Sequence, residues 1–289
     1  MNYNFLIYTL LIVFAFTSCN TNSETNDELK TVHFSGTDIV KQTIEYKNGK
    51  KNGFFKEYYR NGILKAKQFY VNDSINDTSL FYHDDGKLKS IQIYKNKLKN
   101  GCWRNYNKKG LLISEIFFKN NVFDSTCSEF SYRSAKLLKK IRYKEGLKNG
   151  IEETYYPTGE IQSKVNYDMG DVMIGTEEWK KNGKKINNDF NISIIENDDV
   201  LLKGTLTYHI KLENPKESDK VYYVFKPCVG NKVGDISPLK KQGDVFIYEY
   251  QIPKGGFVME KLTIAAFRKT GFGNTYIKTK SFNVASNNY

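Results

Sequence analysis

The sequence predicts an all-β fold, an elongated antiparallel β-meander of hairpin repeats followed by a small β-sandwich. Three observations predict it. Aromatic residues recur every 12 positions at Tyr46, Tyr58, Tyr70, Tyr82, Tyr94, Tyr106, Phe118 and Phe130, then after one inserted residue at Tyr143, Tyr155, Tyr167 and Trp179; a fixed period of this kind marks a repeat architecture. Glycines keep the same time but alternate. Gly49 and Gly53 follow Tyr46 while Gly62 follows Tyr58, and Gly146, Gly150 and Gly159 repeat the arrangement around Tyr143 and Tyr155, so the unit is 24 residues. After Trp179 the period stops, and from about residue 191 short alternating runs are separated by Asn, Asp, Gly and Pro clusters.

The chain opens with a twelve-residue apolar run, FLIYTLLIVFAF (5–16), then Thr17, Ser18 and Cys19, then a polar stretch, NTNSETNDELK. That length suits the apolar region of an export signal and falls short of the roughly 20 residues that cross a bilayer. Small residues ahead of a cysteine resemble the lipobox of bacterial lipoproteins. The resemblance implies a signal peptide over 1–18, cleavage before Cys19 and lipidation of its sulfur, which would hold the protein to a membrane of the cell envelope, the outer membrane foremost. An uncleaved anchor and an ordinary secretory signal are the alternatives. Several acyl chains on one residue anchor stably, since each buried methylene contributes about 0.8 kcal/mol and a single chain is marginal. Residues 19–39, rich in Asn, Thr, Ser and acids, read as a flexible tether.

Residues 40–187 hold the repeats. Gly preceded by Asn, Asp or Lys between alternating segments signals hairpin turns, which need residues tolerant of positive φ. Each 12-residue step is therefore one strand and one turn, and a Gly stands four residues after alternate aromatics at Gly62, Gly86, Gly110, Gly159 and Gly183, with Ser134 as the exception. Six residues before the other aromatics stand Leu64, Leu88, Leu112, Leu137 and Ile161. An even spacing puts both side chains on one face of a strand. About twelve strands are expected. A helix is disfavoured because the glycines would interrupt it repeatedly.

Residues 190–289 form the sandwich. NISIIE, KVYYVFK, DVFIYEYQI, KLTIAAFR and TYIKTKSFNV are strand-like, and six or seven short strands in about 100 residues suit two packed sheets. The segment resembles the immunoglobulin-like modules of exported bacterial proteins without their Cys and Trp hallmark. KNGKKINND (181–189) reads as a hinge.

YKNGKKNGFFKEYYRNGILKAKQFY (46–70) and YKEGLKNGIEETYYPTGEIQSKVNY (143–167) resemble the MORN-repeat-variant family, whose units read approximately Y-x-x-G-x-x-x-G-x-x-x-x-Y-x-x-x-G. Between these two units the pattern thins: Asp73 and Asp77, Lys97, and Asn121 and Ser125 stand where glycines are expected. The resemblance covers about residues 40–187 and implies an elongated sheet of hairpins that acts as an interaction platform. Some family members are labelled antitoxins of toxin-antitoxin pairs.

With 44 Lys and Arg against 32 Asp and Glu, the formal net charge is +12. The lysines are dispersed among strands instead of gathered in a block, so nucleic acid is disfavoured as a partner. Beyond Cys19, the odd number of cysteines (Cys102, Cys127, Cys228) leaves one unpaired, and the 25-residue separation of Cys102 and Cys127 in a 24-residue repeat aims them at opposite faces, which favours free thiols.

No G-x-S-x-G, H-E-x-x-H, C-x-x-C, Walker or calcium-loop pattern is present, so no catalytic residue, metal ligand or cofactor is assigned. His33, His83 and His209 stand alone, and His83-Asp84-Asp85 reads as a polar turn before Gly86. The pairs Glu152 with Glu153 and Glu177 with Glu178 are adjacent, so they face opposite sides of a strand. The aromatic columns are the one feature large enough to bind a partner. Tyr59 and Tyr156, each following a periodic Tyr, are expected to point outward, and with Trp103 and Trp179 they form the predicted recognition surface. The reading is a non-enzymatic envelope lipoprotein whose repeats bind a protein or surface polymer; the alternative is the antitoxin of a toxin-antitoxin pair.

Overall fold

The computed structural model describes residues 26–289. The signal peptide, Cys19 and the first part of the tether lie outside the described residues. Between Asp27 and Glu178, seventeen strand segments make one antiparallel sheet in which each rung pairs with the next along the chain. Four two-residue segments, Leu98–Lys99, Val122–Phe123, Leu147–Lys148 and Asp171–Val172, begin rungs that continue as Gly101–Tyr106, Ser125–Phe130, Gly150–Tyr155 and Glu177–Glu178, so the sheet has thirteen rungs.

The first rung, Asp27–His33, corrects part of the tether assignment. It pairs with Val40–Lys47 from Asp27 opposite Lys47 to His33 opposite Val40. Six of its seven side chains are exposed, so backbone hydrogen bonds, not apolar burial, hold it, and composition carries no sign of it.

Two rows of turns join the rungs. In one row both central residues have positive φ: Asn48-Gly49, Asn72-Asp73, Asn96-Lys97, Asn120-Asn121, Glu145-Gly146 and Met169-Gly170. This is the turn whose twist matches that of the flanking strands. Asp73, Lys97 and Asn121 thus keep the glycine conformation, as do Asp77 (φ 63°) and Ser125 (φ 60°) further along. A left-handed non-glycine residue costs about 1–2 kcal/mol, offset at two sites by side-chain bonds: Asp73 Oδ1 accepts the Lys51 N–H at 2.8 Å and Asn121 Oδ1 the Lys99 N–H at 2.7 Å. The turn backbones are tied in series as well, Asp73 N–H to Lys51 O, Lys97 N–H to Ile75 O and Asn121 N–H to Lys99 O.

In the second row each turn closes through its glycine, as when the Gly62 N–H meets Tyr59 O and the Tyr59 N–H meets Ile63 O. Where the 12-residue period slips, the loop from Ser131 to Lys136 is one residue longer and Ala135 takes the positive φ, which accounts for Ser134.

The sandwich packs the sheet Ile192–Asp199, Thr205–Leu212, Val245–Gln251, Lys240–Gln242 against the sheet Ile236–Pro238, Lys220–Val224, Phe257–Lys269, Thr275–Asn287. Leu206, Ile210, Ile264 and Val284 are fully buried between them. At its edge Arg268 lies against Asp219, with Nη2 to Oδ2 at 2.7 Å and Nε to Oδ1 at 3.0 Å, and its guanidinium lies 4.0 Å from the Phe190 ring centre.

Residues 181–189 are not a hinge. Trp179 bridges Lys185, the Ile186 N–H donates to Glu178 O, and Lys278 pairs with Asp189. The connector is hydrogen-bonded to the last rung on one side and to the sandwich on the other. Glu178 receives the Asn188 amide together with Thr270 and Asn274 of the sandwich, and Thr176 donates to Thr275 O at 2.7 Å.

Candidate binding face of the meander

The pairing register lines up one row of side chains across the sheet: Gln42, Glu57, Ala66, Phe81, Ser90, Asn105, Ser114, Glu129, Lys139, Thr154, Ser163 and Glu178. Paired residues share a face and the alternation is strict, so Ile44, Ile116, Cys127, Ile141 and Val165 lie on this same side. Ala66, Ser90, Ser163, Ile141 and Val165 are buried although no second layer covers the meander among the described residues. Neighbouring rungs bury them by curling toward this face.

One more step along each strand stand Tyr46, Tyr70, Tyr94, Phe118, Tyr143 and Tyr167, which is half of the periodic aromatics. Five of the other six, Tyr58, Tyr82, Tyr106, Phe130 and Tyr155, sit at the opposite strand ends against Leu64, Leu88, Leu112, Leu137 and Ile161, each at a register shift, and the sixth, Trp179, bridges Lys185 beyond the last rung. On the curled face the rings touch. Tyr94, Trp103, Phe118, Phe123 and Tyr143 follow one another at centroid distances of 5.3, 4.8, 5.2 and 5.2 Å. Trp103 is half-buried and its indole N–H donates to Ile93 O at 3.0 Å, which fixes the ring.

Lysines accompany the ladder. Lys99 Nζ lies 4.8 Å from the Trp103 centroid and 5.1 Å from that of Phe118, and Lys148 Nζ lies 4.5 Å from Tyr167. A cation over an aromatic face contributes about 0.5–1 kcal/mol at an exposed site. Burial works against the Lys148 ammonium, but its hydrogen bond to buried Glu152 (2.5 Å), the charge attraction of that carboxylate and the contact with Tyr167 together outweigh this and the pKa is raised. Burial also raises the pKa of Tyr70, Tyr94 and Tyr143, so the phenols stay neutral.

Tyr59 and Tyr156 do not point outward. Both are half-buried, and each reaches the carbonyl of the next turn in its row, Tyr59 Oη to Tyr82 O and Tyr156 Oη to Trp179 O, both at 2.8 Å. His83 Nε2 does the same to Tyr106 O (3.0 Å) and Asn107 Nδ2 to Tyr132 O. These side chains fasten successive turns, a role visible in the sequence only as a polar hydrogen-bonding residue recurring at one repeat position. Tyr156 also packs on Phe272 of the sandwich at 6.4 Å. Trp179 is half-buried at the junction beneath Lys185. Of the four residues expected to recognise a partner, Trp103 lies within the ladder, whereas Tyr59, Tyr156 and Trp179 belong to the second row of turns.

The remaining chemistry-bearing groups are separated. Glu152 meets Lys148 and Lys139 on the curled face, while Glu153 meets Lys164 on the other. Asp84 pairs with Lys108, whose hydrogen bond lowers its pKa. Cys102, beside Phe117, and Cys127, beside Ile141, occupy opposite faces; they and Cys228 are free thiols, and burial raises the pKa of the first two. Among the described residues no group of three or more His, Cys, Asp or Glu could hold a metal ion.

A single-layer sheet of hairpins that repeats every 24 residues and carries an aromatic stripe along one face is, as a class, a β-hairpin repeat protein. The family model described as MORN repeat variant matches residues 51–72, 78–96 and 148–169. No curated protein matches the chain. Those three segments are similar to repeats of the MORN variant type, and the unmatched rungs from residue 98 to 144 continue the same pairing.

Proposed function

We propose that this chain is a non-enzymatic scaffold of the cell envelope, lipid-anchored through Cys19, whose repeats engage an extended protein segment or surface polymer along the aromatic ladder. The ladder carries the reading. Five rings in mutual contact, rising rung by rung at about 4.8 Å and flanked by Lys99 and Lys148, present the same apolar and cationic pattern repeatedly in one direction. A linear partner meets such a pattern in register, and each aromatic can bury about 150–250 Å².

Affinity capture from envelope extracts tests it, with the wild-type chain against Trp103→Ala, Phe123→Ala. Phe123 is 41% exposed, so its removal costs little folding stability. Recovery of the bound partner is expected to fall at least tenfold, while equal recovery refutes the ladder. Fractionation tests the anchor: Cys19→Ala is expected to leave the membrane fraction, and a wild-type chain recovered in the soluble cytoplasm refutes the envelope assignment.

A further inference from the structure

The aromatic row of the curled face continues past Tyr167. Tyr143 stands opposite Lys148 and Tyr167 opposite Val172, and paired residues share a face, so Val172 carries the row onto the last rung. Val172 is also one wall of a hollow of about 520 Å³ between the meander and the sandwich, whose other apolar walls are Phe225, Val233, Ile236 and Phe267. This size falls within the roughly 300–1,000 Å³ of pockets that hold a ligand. Phe225 is 53% exposed although its neighbour Val224 is buried, so its ring is turned out of the sandwich and lines the hollow instead.

The hollow is built before any ligand arrives. The Ile174 N–H donates to Asn231 O at 2.8 Å and the Phe225 N–H to Asp235 O at 3.0 Å, and a Cβ at Gly234 would stand 1.9 Å from Lys226 O, so the loop from Phe225 to Ile236 is closed on itself and tied to the meander. Its polar groups answer one another. Lys226 pairs with Asp235, and Lys232 Nζ lies 2.6 Å from Asp168 Oδ2 and 3.7 Å from Asp171 Oδ2. In these ion pairs two lysines face three carboxylates, and the one in excess is that of Asp171, which is 73% exposed and holds the longer contact.

We propose that this hollow takes a bulky apolar side chain, next to a Lys or Arg, from an extended polypeptide that lies along the ladder. The inference rests on the ladder as the platform and selects a polypeptide over a surface polymer as its partner. A glycan needs partners for its hydroxyls, and the charged groups here are already engaged with one another; an aromatic or leucine side chain instead removes the apolar walls from water. The excess carboxylate of Asp171 favours a cation on the neighbouring residue. Continuity of the row places the side chain: a segment that crosses Tyr143 and Tyr167 meets Val172 next, one rung of about 4.8 Å further on. The hollow thereby sets the end and the register of a ligand that the repeats alone would let slide.

The test uses the chain from residue 19 with Cys19→Ser, which retains every described residue, and capped dipeptides too short to span from the hollow to Phe123. Methyl resonances of Val172, Val233 and Ile236 are followed by NMR as N-acetyl-Phe-Lys-amide is added. Saturable shifts are expected, with binding about threefold weaker for N-acetyl-Phe-Glu-amide and no shift with N-acetylglucosamine. Phe225→Ser is expected to weaken binding about tenfold with an unchanged melting curve, and Asp171→Asn to erase the preference between the two dipeptides. Trp103→Ala, Phe123→Ala is expected to leave dipeptide binding unaltered, so a failure of the hollow and a failure of the ladder are read separately. Absent shifts, shifts that Phe225→Ser leaves unaltered, or equal binding of the two dipeptides overturn the proposal. Shifts of the same size with N-acetylglucosamine overturn it in favour of a glycan site.

Discussion

Glu178 holds the meander and the sandwich to one another, and its removal has a calculable effect. The side chain is 1% exposed and is satisfied by neutral donors: Thr270 Oγ1 and Asn274 Nδ2 reach Oε1 at 2.6 Å, and Asn188 Nδ2 reaches Oε2 at 2.9 Å. Two donors belong to the sandwich, one to the connector, and the acceptor to the last rung. Hydrogen bonds to a charged group contribute about 1.5–3 kcal/mol each and are not additive. Truncation to alanine also relieves the carboxylate's own desolvation, which offsets part of the loss. Glu178→Ala is therefore expected to cost about 3 kcal/mol. Glu178→Gln keeps the shape but turns one acceptor into a donor; Asn188 answers by presenting Oδ1, for a loss of about 1 kcal/mol.

Urea unfolding followed through tryptophan fluorescence, with tryptic cleavage at Lys180, Lys181, Lys184 and Lys185, reads the consequence. The alanine variant is expected to split one transition into two and to open the connector to trypsin, with glutamine intermediate. If Glu178→Ala unfolds within about 0.5 kcal/mol of wild type and the connector stays resistant, the carboxylate does not hold the junction and the argument fails.

Other substitutions probe the turns, the sandwich edge and the titrating phenols. A Cβ at Gly53 would stand 2.1 Å from Glu45 Oε2 and 2.9 Å from Glu45 Cβ at φ +118°, whereas one at Gly62 meets nothing within 4 Å; Gly53→Ala is expected to cost about 2–3 kcal/mol and Gly62→Ala about 1, by urea midpoint. Lys97→Gly relieves left-handed strain while loosening the unfolded chain and is expected to be nearly neutral, but Asn121→Gly also loses the bond to the Lys99 N–H and is expected to cost about 1 kcal/mol. Asp219→Ala strands the buried Arg268 guanidinium and is expected to cost about 3–5 kcal/mol in sandwich unfolding. Burial, and then the hydrogen bond to Glu153, push Tyr155 up to about 12. The unfolded chain releases that proton first, so the contribution is complete below pH 10 and is lost as pH climbs toward 12; absorbance titration is expected to show one fewer late phenol in Tyr155→Phe.

Most of the meander was legible because its turns need particular backbone angles and its rungs need alternation, and both leave periodic marks. The marks fail where geometry is met by other means. Asp73, Lys97 and Asn121 adopt the glycine conformation without being glycine. Asp27–His33 joins the sheet through backbone bonds that any side chain permits. Residues 181–189 look like a hinge because Lys, Asn and Gly suit loops, and the partners that fix them, Glu178 and Lys278, are remote in the chain. Tyr59 and Tyr156 illustrate the same limit, since an aromatic spacing does not tell a ring that faces solvent from one whose hydroxyl caps the next turn. Of the candidate face, the sequence singled out Trp103 but neither Lys99 nor Lys148; that six periodic aromatics share a curled face while five others close the far strand ends followed from the register shifts alone.

That division explains how a single-layer sheet serves as a platform. With no second layer to cover it, each rung must be held by its neighbours, and both rows of turns supply this through bonds between residues about 22–25 positions apart. The two rows fix the rung ends, and curling buries the small side chains Ala66, Ser90 and Ser163 between them. Rings one step beyond that buried line are supported from beneath yet open to one side, as the 41% exposure of Phe123 against 9% for adjacent Phe118 illustrates. Preorganised rings lose little freedom on binding, so a ladder fixed in this way suits an extended ligand. The sandwich then has a second task besides capping the last rung: it closes one edge of the sheet against pairing with other strands, leaving Asp27–His33, with its exposed charges, as the edge that protects itself.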